Sequence, residues 1–317
     1  MTTLLGPGLP SDAFDLAQTS FGRDAWRRLL RNRAAVASLV FIAFLIVLAV
    51  FAPLITSRSY SVQDPANSFR PPGHGSLLGT DALGRDVWSR LVYGARISLT
   101  VAFFAEIIQL LIGVPVGLVA GFFGGRVDSW LMRAVDTLFA FPLYLFVIVM
   151  ATFIKVRAST AGVGGWVTSI DKLTAGLFGV LIALSLVLWL VPARLTRGVV
   201  LSVVKQDYVR AARAMGATRR RIIIRHILPN SLAPIIISAT FGVPIAILIE
   251  AGVSFLGLGV NPPKPSWGLM IADGSKAIVS SPYLVIAPSV ALVLTMLAFT
   301  YLGDGLRDAL DPTTKHT

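Results

Sequence analysis

Long apolar runs recur along this chain, separated by shorter polar stretches, and the first run is the cleanest. Residues 34–52 are about nineteen in number and carry no charge, roughly 28 Å at the helical rise, which is enough to cross a bilayer core. Pro53 closes the run. Further runs at 97–121, 137–154, 176–191, 233–251 and 284–303 predict six membrane-spanning helices in all. Ahead of the first, Phe21, Trp26, Leu29 and Leu30 alternate with Arg23, Arg27, Arg28, Arg31 and Arg33, the pattern of an amphipathic helix lying at a membrane surface. The polar leader is long and no small-residue cleavage site follows the apolar run, so a cleaved signal peptide is not expected.

The longest polar stretch separates the fourth and fifth runs, and its central part, residues 207–230, reads DYVRAARAMGATRRRIIIRHILPN. Residues 207–215 have helix-forming composition, with Ala211 and Ala212 adjacent. Gly216 offers the left-handed backbone that ends a helix, and Thr218 can cap the next. In that second segment Ile222, Ile223, His226 and Ile227 share one face, while Arg219, Arg220 and Arg225 lie elsewhere on the wheel. Pro229 is expected to stop it. Two short helices at an angle are predicted.

Composition agrees with the apolar pattern. Of 317 residues 55% are hydrophobic and 14% charged, with a mean hydropathy of +0.76, far from the balance of a soluble domain. There is no cysteine and only His74, His226 and His316, which leaves neither a thiolate site nor a histidine cluster for a metal. The formal charge of +12 is explained by basic loops on the cytoplasmic side rather than by nucleic acid, since no basic–aromatic interleaving or known nucleic-acid module is present. With the N-terminus inside, residues 1–33, 122–136, 194–232 and 304–317 hold eighteen of the 28 Lys and Arg residues. Both termini are therefore expected in the cytoplasm. No GxxxxGK[ST] loop, GxSxG elbow, HExxH pair or CxxC set occurs, so no catalytic residue and no nucleotide cradle is expected in this chain.

Three groups of residues stand out beyond the basic loop. Gly113, Gly117 and Gly121 form a small-residue stripe around Pro115, read as close helix packing or as a moving gate; Gly242 and Pro244 in the fifth span invite the same two readings. Glu106, Gln109 and Glu250 are polar residues at membrane depth, so each is a candidate for a translocation path or for a paired interhelical contact. Residues 79–99, GTDALGRDVWSRLVYGARISL, are predicted to be external. Thr80 or Asp81 would cap a helix whose apolar side carries Leu83, Val87, Trp88 and Leu91, and that helix either seats the second span or touches an outer partner.

The basic stretch resembles the coupling loop of the membrane-spanning subunits of ABC importers, whose pattern is E-A-A, three residues, Gly, nine residues, then I-x-L-P. Ala211, Ala212, Gly216, Leu228 and Pro229 match at the right spacing; Arg210 stands at the usual Glu and His226 at the usual Ile. The words GTDxxGRDxxSR and GARISL, EAGVSFLGLG, PSWG and GDGLRDALDP are similar to those of the second permease subunit in the oligopeptide, dipeptide and nickel branch.

The resemblance implies an all-α integral membrane protein of six transmembrane helices with the methionine-importer (MetI-like) permease fold, in the bacterial inner membrane. It implies a cytoplasmic segment at 1–33, a first span at 34–53, an extracytoplasmic segment at 54–96, a permease core at 97–303 with the coupling loop at 194–232, and a cytoplasmic tail at 304–317. It further implies a heterodimer with a homologous permease subunit, two ATPase subunits that bind ATP and Mg, and an extracytoplasmic substrate-binding protein. No cofactor is expected in this chain. The cargo implied is short peptides, with nickel or another small solute as the alternative; an ATP-independent secondary transporter and a membrane scaffold are the rival classes. Arg210, Ala211, Ala212, Met215, Gly216, Arg219, Arg220, His226, Leu228 and Pro229 are the implied ATPase-coupling residues, the alanines by packing into a groove. Arg219, Arg220, Arg221 and Arg225 would meet either acidic ATPase groups or anionic lipid. Asp81, Arg85, Asp86, Arg90 and Arg96 form the implied outer-face motif.

Overall fold

A computed structural model describes residues 21–73, 75–159 and 177–310; expectations placed on 1–20, His74, 160–176 and 311–317 lie outside the described residues. The regular structure of the described residues is helical, apart from one isolated antiparallel bridge between Thr80 and Asp86. In chain order the helices are α1 (Phe21–Arg31), α2 (Arg33–Val50), α3 (Ala52–Ile55), α4 (Val87–Phe123), α5 (Gly125–Phe139), α6 (Leu143–Ser159), α7 (Leu177–Leu188), α8 (Leu190–Val203), α9 (Asp207–Ala214), α10 (Arg219–Ile222), α11 (Leu228–Phe255), α12 (Trp267–Ser275) and α13 (Tyr283–Leu310).

Five stretches are long and apolar enough to cross a membrane: Arg33–Val50, Val87–Phe123, Leu177–Val203, Arg219–Phe255 and Tyr283–Leu310. The third expected span is not a straight helix. It is the pair α5 and α6, bent by 83° at a short break. Pro142 sits in that break; it lacks an N–H and drives the residue before it out of the helical region. Counting the pair as one crossing brings the total to six.

Two expected boundaries also move. The external helix capped by Thr80 or Asp81 does not form. Asp86 is the cap, its carboxylate accepting the Ser89 N–H at 2.8 Å, and α4 then runs unbroken from Val87 into the second span. Thr80 is held in the bridge to Asp86, and the Asp81 carboxylate is occupied by the N–H groups of Leu83 and Arg85 at 2.9 and 3.0 Å, so neither is free to cap. The basic loop, expected from 194, begins after Val203, because α8 continues through Arg194 and Arg197. Those two cations are neutralised by α5: Arg194 donates to Asp136 at 2.5 Å, and Arg197 forks onto both oxygens of Asp128 at 2.5 and 2.6 Å.

The central helix is α4, which packs on α8, α11, α7 and α2, while α13 packs on α11 and α2. The glycine stripe explains the closest of these pairings. A Cβ added at Gly117 would lie 2.7 Å from Thr196 Cβ and 2.9 Å from the Arg197 nitrogen, and one at Gly121 would lie 2.8 Å from Val200 Cβ. The backbones of α4 and α8 therefore touch, which is the packing reading of the stripe. Gly117→Val is expected to cost about 1–3 kcal/mol or more by overpacking, read as a lowered melting temperature of the purified protein in detergent. An unchanged melting temperature would show that α8 can move away freely.

Near the N-terminal end of α4, α12 tucks between α4, α11 and α13. Ser266 caps α12, accepting the Leu269 N–H at 3.3 Å, and the adjacent Trp267 is 1% exposed and donates its indole N–H to the Leu91 carbonyl at 3.1 Å. The PSWG words thus mark a buried anchor. At the other end, α1 packs on the end of α13, burying Leu29 with Ala35 and Ala309.

Candidate functional site

The basic segment forms an elbow with an apolar base and a polar outer face. Val209 of α9, Ile222 of α10 and Ile227 pack on Val200 and Val203 of α8. Gly216 turns the chain at φ +80°, and no atom lies within 4 Å of where its Cβ would be, so the backbone conformation and not space demands glycine. Thr218 then caps α10, accepting the Arg221 N–H at 3.4 Å. Outside, Ala211, Met215, Arg219, Arg220 and Arg225 are exposed, Met215 at 81%. Of the alanine pair, Ala212 is buried within the chain and Ala211 is exposed.

Pro229 does not terminate the second helix. It lies in the first turn of α11, and residues 223–227 form a π-helical turn that joins α10 to α11. Proline has no N–H and crowds the carbonyl four residues back, and a wider turn relieves both problems. Leu228 starts α11, and His226, half-buried in the π turn, has its ring 6.4 Å from that of Tyr208. The partner of Arg210 is Asp207, one turn away at 3.6 Å, a solvated pair of little energetic consequence. Two contacts invisible in the sequence tie the elbow to α4: the guanidinium of Arg213 lies 6.0 Å from the Phe122 ring centre, and that of Arg219 lies 5.9 Å from Phe123.

Four of the five outer-face residues are buried. Asp81 receives Arg85 at 2.7 Å and Arg90 at 2.9 Å, and both guanidiniums also reach Asp273 of α12, at 3.6 and 3.3 Å. Burial pushes the Asp273 carboxyl above the usual range, against the pull of Arg85 and Lys276. Asp86 is held by Ser89 and by the Ser76 hydroxyl, and the Tyr283 hydroxyl of α13 lies 3.0 Å from the carbonyl oxygens of both Arg70 and Thr80. These residues fasten the strap of residues 56–86 to α4, α12 and α13, as the seating reading of this stretch expects. Arg96 stands apart and is exposed.

The polar residues at membrane depth separate in the same way. Glu106 and Gln109 bond to each other beside a cavity of about 100 Å³, with Gly242 of α11 against the carboxylate and Ser238 and Phe241 in the wall. Glu250 shares none of these partners. It is 1% exposed and accepts the hydroxyls of Ser98 at 3.0 Å and Ser254 at 2.7 Å, the geometry of the paired interhelical contact. The one signal for the pairing of Arg194 and Arg197 was Asp128 and Asp136 on α5, and their separation in sequence concealed it.

Comparison with known proteins adds the following. Residues 113–316 match the family described as binding-protein-dependent transport system inner membrane component, and residues 20–72 match the N-terminal TM domain of oligopeptide transport permease C. The chain is 40% identical over 309 residues to the dipeptide transport system permease protein DppC of Alkalihalophilus pseudofirmus, covering 98% of this chain and 95% of the relative. It is 39% identical over 293 residues to the oligopeptide transport system permease protein OppC of Bacillus subtilis, covering 92% and 90%. Among solved structures, an inward-facing conformation of the MetNI methionine ABC transporter superposes with a TM-score of 0.54 at 19% identity, covering 70% of this chain and 96% of that one.

Proposed function

Because the chain belongs to the binding-protein-dependent transport system inner membrane component family, the multi-pass permease subunits of ABC importers, we propose that it carries short peptides across the bacterial inner membrane. The peptide cargo rests on the names of relatives that align over nearly the whole chain. The permease works with ATPase partners; in the proposed assembly a second, homologous permease completes the path, two ATPases supply ATP and Mg binding, and an external binding protein delivers the peptide. The N- and C-termini and the elbow face the cytoplasm, where most of the Lys and Arg residues would then lie.

The observation that carries this reading is the elbow itself, an exposed Ala211, Met215, Arg219 and Arg220 face on a fixed apolar base. An ATPase groove gripping that face would displace α9 and α10 together. From α10 the displacement passes through the π turn into α11, since Arg219–Phe255 is one helical stretch of 37 residues. A second route leads through Arg213 and Arg219 to Phe122 and Phe123 at the end of α4. Alternating access then follows from rigid-body movement of packed helices. Glu106 and Gln109, beside their small cavity, remain the candidate path residues of this chain.

The absence of cysteine makes a direct test clean. In the assembled complex, Met215→Cys is expected to cross-link to a cysteine placed in the groove of the co-purifying ATPase, whereas Ala212→Cys, at a buried position, is not. Equal cross-linking at both positions, or at neither, would overturn the proposed docking face.

A further inference from the structure

Beside α4 on the strap side lies a cleft of about 330 Å³ whose mainly apolar wall also carries Tyr60, Tyr93, Arg96, Thr100 and Lys264. Arg96 and Thr100 also close the upper end of a second depression of about 330 Å³ between α2 and α4, whose walls are Ile46, Val50, Leu99, Phe103 and Phe104. Arg96 and Thr100 thus line both spaces, the first of which adds Lys264 and two tyrosines and the second large apolar side chains. Within the described residues neither Arg96 nor Lys264 has an acidic partner, in contrast to Arg90 on the same helix and Arg85 just before it. The two tyrosine rings lie 4.5 Å apart at the cleft edge, and Val50 and Phe104 are more than half exposed in the groove.

Cations without counter-ions, tyrosines at the level where a span leaves the hydrocarbon, and an apolar groove running from them along two helices are together the complement of an anionic amphiphile. We propose that this cleft and groove form a phospholipid site on the strap side of the permease. The headgroup phosphate is held by Arg96 and Lys264, with Tyr60 and Tyr93 beside it, and one acyl chain lies along Ile46, Val50 and Phe104. A tetrahedral phosphate oxyanion suits a guanidinium and an ammonium converging from α4 and from the loop before α12. The chain end of the ligand explains why large apolar side chains line the groove below a charged rim. The site is distinct from the elbow and from Glu106, and it does not depend on what the importer carries.

The test is native mass spectrometry of the intact transport complex titrated with dioleoyl phosphatidylglycerol. The wild-type complex is expected to hold the lipid, the double variant Arg96→Ala/Lys264→Ala to bind it at least about tenfold more weakly, and Val50→Trp, which fills the groove but leaves both cations, to weaken it similarly. These positions are exposed or half-buried, so co-purification of the partner subunits checks that each variant assembles. Equal lipid binding in all three would overturn the proposal. So would displacement of the lipid by tail-less glycerol 3-phosphate, which would make the cleft a soluble-anion site, or by a dipeptide, which would make it part of the substrate route. A complex that holds no lipid because the second permease fills the groove would overturn it equally.

Discussion

Asp81→Ala is expected to lower the stability of the permease by about 3 kcal/mol, at the lower end of the range for removing one partner of a buried ion pair. The side chains of Arg85 and Arg90 are 8% and 2% exposed, and the Asp81 carboxylate lies within 3 Å of both. Without it two buried guanidiniums share only Asp273, whose side chain is 40% exposed and whose contacts are longer, at 3.6 and 3.3 Å. Asp273 is the reason for choosing the lower end. Thermal unfolding of the solubilised complex reads the effect directly, with Asp207→Ala as the control, since that carboxylate is fully solvated and its loss should leave the melting temperature where it was. A wild-type melting temperature for Asp81→Ala would mean that the strap is not fastened through this cluster.

Gly216→Val is expected to reduce ATP-driven uptake by roughly tenfold or more while the subunit still inserts and the complex still hydrolyses ATP. The backbone at φ +80° costs an L-residue about 1–2 kcal/mol, and a β-branched side chain more, so the elbow reopens to a different angle. A penalty of 1.4 kcal/mol is already a factor of ten in the population of the correct angle. No neighbouring atom contributes, because the Cβ would enter open space. Asn tolerates the left-handed region, and Gly216→Asn should therefore recover most of the uptake. Normal transport by a well-expressed valine variant would show that the angle between α9 and α10 does not carry the signal.

The elements whose cause is local were legible in the sequence. Gly216 and Thr218 announced a turn and a cap by residue type alone, and both occur. The four-residue spacing of Gly113, Gly117 and Gly121 announced a close helix contact, and α8 fills it. What depended on partners distant in the chain was hidden. Arg194 and Arg197 read as the start of a polar loop because their carboxylates lie on α5, and pairing lets the helix carry them for two more turns. For the GTDxxGRDxxSR words the sequence left seating and an outer contact open, because Asp81, Arg85 and Arg90 converge on each other and on Asp273, nearly two hundred residues away. Pro229 followed the rule for ending a helix, and the π turn at 223–227 removed the conflict that the rule assumes. For Glu250 the sequence left a path position and an interhelical contact open, because Ser98, the partner on α4, lies 152 residues away in the chain.

The central claim is that this chain is the permease of an ATP-driven peptide importer, and the most direct measurement is uptake of labelled di- and oligopeptides into proteoliposomes holding the chain, its co-purifying subunits and the binding protein. Accumulation that requires both ATP and the binding protein is expected. Accumulation without ATP, or none with the ATPases present and active, would contradict the claim.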